Sequence, residues 1–415
     1  MIFTPKDLEK ASFLKPLYFV LNNGLVFQDK LLPDPSEKLI PDEYHFSKNY
    51  YIDLHFKVSS FSTYNHLGSR IPLKHSSINV TKFRQLLPSG YDDKVVLQYM
   101  EYGFPLGLQE DFTLKPVLKN HSSSYEYYSH VDKFIKKELL KGGMCGPFAT
   151  SPFKDLMISP LMTSPKKPNS RRTVFDASFS EYSLNLNTPD KLYLGDEYDF
   201  SFPKLDDFAQ LILKFGSGCY MWKRDLSRFF LQLPLDPIDY DKMGCIWRGQ
   251  LLLFTSYVWG TRHAGMSGQR VTNCISTIHR SLGASNSCIH KTNGCEKLCL
   301  HNSTDSVSDS VSGTAEFNTL NYSDDMGGVE GTLMRATLSF NMMQSLLREL
   351  GLSESLDKAV SPCQEMTYLG IQFNTLKLEM SINESKCKEL KFDLIKWSRK
   401  TVATKSELQS ILGKL

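Results

Sequence analysis

Asn321-Tyr322-Ser323-Asp324-Asp325-Met326-Gly327-Gly328 places two adjacent carboxylates beside small residues. A third carboxylate, Asp225, stands well upstream in Lys223-Arg224-Asp225-Leu226-Ser227-Arg228-Phe229-Phe230. Taken alone, Asp-Asp beside Gly-Gly reads as an ordinary hairpin turn, because turns favour both residue types. The surroundings of Asp225 point elsewhere. It follows the mostly apolar Cys219-Tyr220-Met221-Trp222 and precedes Phe229-Phe230-Leu231, so a strand carries a charge where a buried sheet would not otherwise keep one. A strand ending in Asp beside a tight turn carrying Asp-Asp supplies oxygen ligands for hard divalent cations. That is the arrangement of a two-metal phosphoryl-transfer centre.

The chain is 415 residues long, enough for a large core divided into two or more domains. A hydrophobic share of 41% and a charged share of 22% belong to a soluble globular protein. No run of eighteen apolar residues occurs, and Met1-Ile2-Phe3-Thr4-Pro5-Lys6-Asp7 has no basic segment followed by an apolar one. These features argue against a membrane partner and against secretion, and place the chain inside the cell, in cytoplasm or nucleus. Nine cysteines, an odd number without a framework, read as reduced thiols. The net charge of +3 is small, but its distribution is uneven. Residues 131–180 hold nine Lys/Arg against four Asp/Glu, 386–415 hold eight against three, and 302–330 hold six acids and no base. Basic flanks suit phosphates and an acidic centre suits metal, although a Lys-rich stretch is also an ordinary solvated helix face.

Along the chain, residues 1–90 show no repeat or catalytic motif and receive no function. Residues 91–215 read as a leader followed by a basic hairpin domain. Val131 to Leu140 has helical spacing, with Val131, Ile135 and Leu139 on one face, and Gly142-Gly143 ends it. Ser164-Pro165-Lys166-Lys167-Pro168-Asn169-Ser170-Arg171-Arg172 is a basic turn between apolar flanks, suited to a triphosphate or simply exposed. Residues 216–380 hold all three carboxylates, with an insertion at about 236–258 and a second at 284–317. The second is rich in Ser, Thr and Asn, lacks apolar periodicity and reads as a largely disordered loop. Its Cys288, His290, Cys295, Cys299 and His301 fit neither a zinc knuckle nor a standard finger.

From about Gly90 onward the sequence resembles the reverse transcriptases of retrotransposons, most closely the DIRS-like and neighbouring long-terminal-repeat groups. Asp225 with Phe230 resembles the first palm motif. Gly260-Thr261-Arg262-His263-Ala264 with Gln269-Arg270 resembles the second, and Tyr322 to Asp325 the third. Leu350-Gly351-Leu352 to Lys358 and Tyr368-Leu369-Gly370 resemble the fourth and fifth. The resemblance implies an α+β fold, a right-hand polymerase palm and fingers, with 381–415 as the start of a truncated thumb. It implies Mg²⁺, with Mn²⁺ as a substitute, held by Asp225, Asp324, Asp325 and the Leu226 carbonyl, with Lys358 beside the leaving pyrophosphate. It further implies that Lys166 or Lys167, Arg172, Phe230 and Gln269 meet the nucleotide, with Phe230 excluding a 2′-hydroxyl. Arg262, Leu369 and Gly370 would meet template or primer.

The sequence departs from the family at Phe229, where a small residue is usual, at His263 and Gly265, where Ser and Pro are usual, and at the polar Ser323. The chain ends at Leu415 with no RNase H or recombinase segment, so it resembles a piece or a decayed copy of a retroelement polyprotein. Another part of the element would then supply the missing domains. The expected function is RNA-directed DNA polymerase: addition of deoxynucleoside triphosphates to a primer on an RNA or DNA template. The alternatives are an inactive remnant that still binds nucleic acid, and an RNA-dependent RNA polymerase, which would normally avoid a bulky residue at Phe230.

Overall fold

A computed structural model describes residues 47–60, 71–109, 114–167, 170–198, 201–284, 287–292, 295–300 and 316–413, with helix and sheet mixed throughout. They form two compact units that interleave along the chain. One consists of the described residues up to Ser201 with Leu226–Ile275 and Leu347–Ser353; the other consists of Phe202–Asp225, Ser276–Leu346 and the described part of Glu354–Leu415.

In the first unit, strands Met144–Phe148, Gln250–Phe254 and Gly244–Trp247 make an antiparallel sheet in that order. Helix Tyr128–Lys141 buries Val131, Ile135 and Leu139 and ends at Gly142, whose φ of 73° is the left-handed cap that glycine takes without a Cβ penalty. Asp132 on this helix accepts from Trp247 Nε1 at 2.7 Å and pairs with Arg248 at 2.6 Å, both partners being buried. The basic turn is a hairpin of strands Leu161–Lys167 and Ser170–Phe175. The described residues before Val95 belong to the packing of this unit: helix Lys48–Ser59 buries Leu54 and Val58 against Leu73, and Asn79 N–H donates to Leu350 O at 2.9 Å.

The second unit is built on a four-stranded antiparallel sheet in the order Thr319–Tyr322, Asp325–Glu330, Tyr220–Asp225, Val360–Cys363. Successive strand residues alternate between faces. Met221 and Val329 therefore turn to one face, where they pack with Phe208, Ile212, Met366, Tyr368 and Phe373, each fully buried large side chain contributing about 1.5–3 kcal/mol. Trp222 and Arg224 turn to the other, against helix Leu333–Glu349: Trp222 Nε1 donates to Ser339 Oγ at 3.1 Å and Arg224 Nε to Phe340 O at 3.0 Å.

Gly327 and Gly328 are not turn residues. They lie inside strand Asp325–Glu330, where a Cβ on Gly327 would stand 2.9 Å from Tyr368 Cε2 and one on Gly328 2.3 Å from Trp222 Cε2. Their smallness serves packing on both faces of the sheet.

Within 284–317, where the sequence suggests an unstructured loop, the described backbone pairs Ser287–Thr292 with Cys295–Leu300 as antiparallel strands. Residues 301–315, including His301, lie outside the described residues. Phe317 belongs to the core: it is 2% exposed and stacks on His279 with ring centroids 4.9 Å apart. A polar run conceals such an anchor because its last apolar residue has no periodic neighbour. Two helices, Glu384–Ser398 and Lys405–Leu412, close the described chain. Among the described residues no helix is long and apolar enough to cross a membrane.

Candidate active site

Asp225 ends its strand directly opposite Asp325, which begins the neighbouring one. Residues so paired have Cα atoms about 4.5–5.5 Å apart. Asp325 is also paired with Tyr322, leaving Ser323 and Asp324 as a two-residue turn. Ser323 holds φ at 51°, a left-handed conformation that costs a non-glycine residue about 1 kcal/mol. The turn thus sets Asp324 beside the pair at a local cost.

Lys358, half-exposed, reaches the group from a short helical turn, with its Nζ 2.7 Å from Asp225 Oδ2; Asp225 itself is only 5% exposed. The segment is held by its backbone too, because Ser355 N–H donates to Asp225 O at 2.7 Å. Burial, then the charges of Asp324 and Asp225, push the Asp325 carboxyl up to about 6, with Lys223 and Lys358 pulling the other way. Burial opposes the charge on Lys358, but its bond to Asp225 and the three carboxylate charges outweigh that and raise its pKa. Lys223 is a member of this charge cluster that sequence reasoning missed. Its place two residues before Asp225 on the same strand was the available signal.

A cluster of carboxylates that repel one another, with oxygen as the only donor, has the chemistry of a hard divalent-cation site. As it stands, no group of three or more His, Cys, Asp or Glu among the described residues is arranged to hold a metal ion. The Lys358 ammonium lies on Asp225 Oδ2. The residue types fit a cation, and the carboxylate repulsion that adds to burial in raising Asp325 is what a cation would relieve.

The remaining sequence-derived residues are placed as follows. Leu369 and Gly370, with φ of 47° and 84°, are the two-residue turn between strands Glu365–Tyr368 and Ile371–Asn374, and Tyr368 OH lies 3.5 Å from Asp325 O. In the first unit, Leu226 is buried. Phe230 is half-buried in the short helical turn Phe229–Gln232, its ring centroid 5.2 Å from that of Phe229. Both rings lie over Gly268, where a Cβ would stand 2.9 Å from Phe230 Cε1. Gln269 is buried, with Nε2 donating to Asn273 Oδ1 at 2.9 Å. Arg262 donates through Nε to Asn185 O at 2.9 Å and has Nη1 3.3 Å from Asp190. On the basic hairpin, Arg171 is tied in by Thr163 and the Tyr127 ring. Arg172 is exposed, 5.5 Å from the Trp259 ring centroid, and Asp176, four residues further on, lies 2.9 Å from His121 Nε2. Lys166 is exposed, and the backbone of Lys167 ends its strand.

No protein-family model matches the chain. No curated protein matches it either. Among solved structures it is similar to a foamy viral protease-reverse transcriptase in complex with double-stranded DNA, at 15% identity and TM-score 0.49, over 84% of this chain and 53% of that one. A foamy viral protease-reverse transcriptase in complex with an RNA/DNA hybrid is similar at 15% identity and TM-score 0.47, over 84% and 40%. The prototype foamy virus protein in native form is similar at 14% identity and TM-score 0.44, over 84% and 43%. The chain thus spans about half the length, or less, of these proteins.

Proposed function

We propose that this chain is an RNA-directed DNA polymerase of retroelement type, with the second unit's sheet as the palm and the basic hairpin as part of the fingers. The observation that carries the reading is the cross-strand pair Asp225 and Asp325, with Asp324 in the adjoining turn and the Lys358 ammonium on Asp225. Asp225, Asp324 and Asp325 would hold the divalent cation, Mg²⁺ or Mn²⁺, with the Leu226 carbonyl as a further oxygen. When bound, that metal would promote ionisation of a primer 3′-hydroxyl and neutralise charge on the leaving group.

The primer 3′-hydroxyl gives up its proton to solvent water, its oxygen bonds to the α-phosphorus of a deoxynucleoside triphosphate, the bond from that phosphorus to the bridging oxygen breaks, and pyrophosphate leaves. Lys358, kept charged by its carboxylate neighbours, is the residue that gives a proton to that leaving oxygen. Arg172 and Lys166 on the hairpin bind phosphate oxygens, and Phe230 closes the space a 2′-hydroxyl would need.

Primer extension on RNA and DNA templates tests the reading. The native chain should add deoxynucleotides with Mg²⁺ or Mn²⁺, and Asp325→Asn should reduce the rate at least about a hundredfold, because one of three charged ligands is lost. A native chain that binds template and primer without extending it would overturn the polymerase reading in favour of an inactive nucleic-acid-binding remnant. Preferential use of ribonucleotides on RNA would favour the RNA-polymerase alternative.

A further inference from the structure

Arg224, the residue beside Asp225, is 2% exposed in its side chain, yet carries a full charge into the layer beneath the sheet. Its guanidinium lies over the Phe340 ring, 3.7 Å from the centroid, its Nε donates to Phe340 O at 3.0 Å, and its Nη1 meets Glu354 Oε2 at 2.6 Å. Glu354 begins the segment that ends in Lys358. Three ties therefore join five consecutive residues to two: Glu354 to the Arg224 side chain, Ser355 N–H to the Asp225 carbonyl, and Lys358 Nζ to the Asp225 carboxylate. Lys358 N–H also donates to Ser355 O at 3.0 Å, so the turn between the anchors is closed on itself.

A buried ion pair is a poor way to gain stability, because desolvation consumes most of the attraction, and apolar residues of similar volume commonly do as well. Its directionality is what an apolar contact lacks: a guanidinium held by a ring and a carbonyl presents a donor at one place only. Arg224 is adjacent in sequence to Asp225, so whatever it fixes is fixed relative to that carboxylate. Without this tie, a half-exposed Lys with its long flexible stem is held in place by a single ion pair to Asp225.

We propose that Arg224 and Glu354 are positioning residues whose buried contact locks the Glu354–Lys358 segment onto the Asp225 strand and so delivers the Lys358 ammonium to the reacting phosphates. The proposal rests on the polymerase reading for its chemistry and on the second unit's packing for its geometry. Neither residue touches substrate; both act through Lys358.

Two measurements separate the proposal from the reading beneath it. The first needs no activity: amide hydrogen exchange in Glu354→Ala. Exchange at Ser355 and Lys358 should accelerate at least about tenfold while the amides of strand Tyr220–Asp225 keep their protection. Should Glu354→Ala fail to fold because Arg224 is left buried and unpaired, the double variant Arg224→Met with Glu354→Ala removes that charge and is read the same way. Unchanged protection at Ser355 and Lys358 in the folded variant overturns the positioning role.

The second measurement is a double-mutant cycle on nucleotide addition. Glu354→Ala should lower kcat about tenfold with little change in KM for the nucleotide, and should have less than about a twofold effect once Lys358 is Met, because residues that act through one group are not additive. Equal losses in both backgrounds would show that Glu354 acts on the fold and not through Lys358. If the native chain extends no primer, the polymerase reading falls, and the exchange measurement still decides whether the tie exists.

Discussion

Asp225 and Asp325 stand opposite each other on adjacent antiparallel strands, and only one of them, Asp225, has a lysine on its carboxylate. Burial first, and then the charges of Asp324 and Asp225, push the Asp325 carboxyl up to about 6.

Because the folded chain holds a proton on Asp325 more tightly than the unfolded chain does, the contribution of Asp325 to stability should fall as pH rises from about 3.8 to about 6, and the full penalty should persist above that. Asp325→Asn removes the penalty. At pH 8 without divalent cations the variant should be more stable than the native chain by roughly 1–3 kcal/mol, and the difference should vanish near pH 3.5. Urea unfolding of both proteins at the two pH values checks this. A variant less stable at pH 8 would mean that Asp325 is held by attraction instead.

A cation that relieves the same repulsion should stabilise the folded state. Mg²⁺ at a hundred times its dissociation constant adds about 2.7 kcal/mol to a protein that binds it only when folded. Thermal unfolding of the native chain should shift upward with Mg²⁺ and return on chelation, whereas Asp325→Asn should shift much less. Equal shifts for the two proteins would place the cation elsewhere.

His279 is buried between Thr319 and Ser339. A carbonyl can only accept, so Nε2 carries the hydrogen toward Ser339 O at 2.9 Å, and Nδ1, 2.7 Å from Thr319 Oγ1, accepts from that hydroxyl. Burial lowers the imidazole pKa to about 4. The unfolded chain therefore binds this proton first, and stability contributed by the neutral ring is present above 6.5 and lost as pH falls from there toward 4. About 3 kcal/mol is at stake. His279→Gln should flatten the slope of stability against pH in that window whatever its absolute stability, and an unaltered slope would assign the titration to another group.

Gly328→Ala should destabilise the chain by roughly 2–3 kcal/mol, since the new methyl meets the Trp222 ring and overpacking of this kind forces neighbours off their rotamers. Gly90→Ala, with nothing within 4 Å, is the control and should be close to neutral. Near-ultraviolet circular dichroism, which reports the Trp222 environment, and denaturant midpoints together distinguish the two.

Phe230→Ala should raise the relative efficiency of ribonucleotides over deoxynucleotides, because it removes a clash and leaves the carboxylates untouched. Its packing over Gly268 makes some loss of stability unavoidable, so discrimination is the measured ratio and not the rate. An unchanged ratio would return Phe230 to the core.

Elements whose signal is local were readable along the chain. Val131, Ile135 and Leu139 announced a helix face, Gly142 its end, and the apolar run before Asp225 a strand that stops at a charge; each depends on neighbours within a turn or two. The Asp-Asp doublet was legible as a turn beside a strand, but the Gly-Gly after it was not legible as packing, because its reason is Trp222 and Tyr368 on other elements. Contacts across long stretches of chain emerge only in the folded protein: Arg224 with Glu354, His279 with Thr319 and Ser339, Lys358 with Asp225. Side chains of this kind carry no period and read as solvated charges or ordinary polar residues along the chain. What selects their partners is the cost of leaving a charge or a hydrogen-bonding group buried alone, and that cost exists only once the sheet and its helices have closed around them.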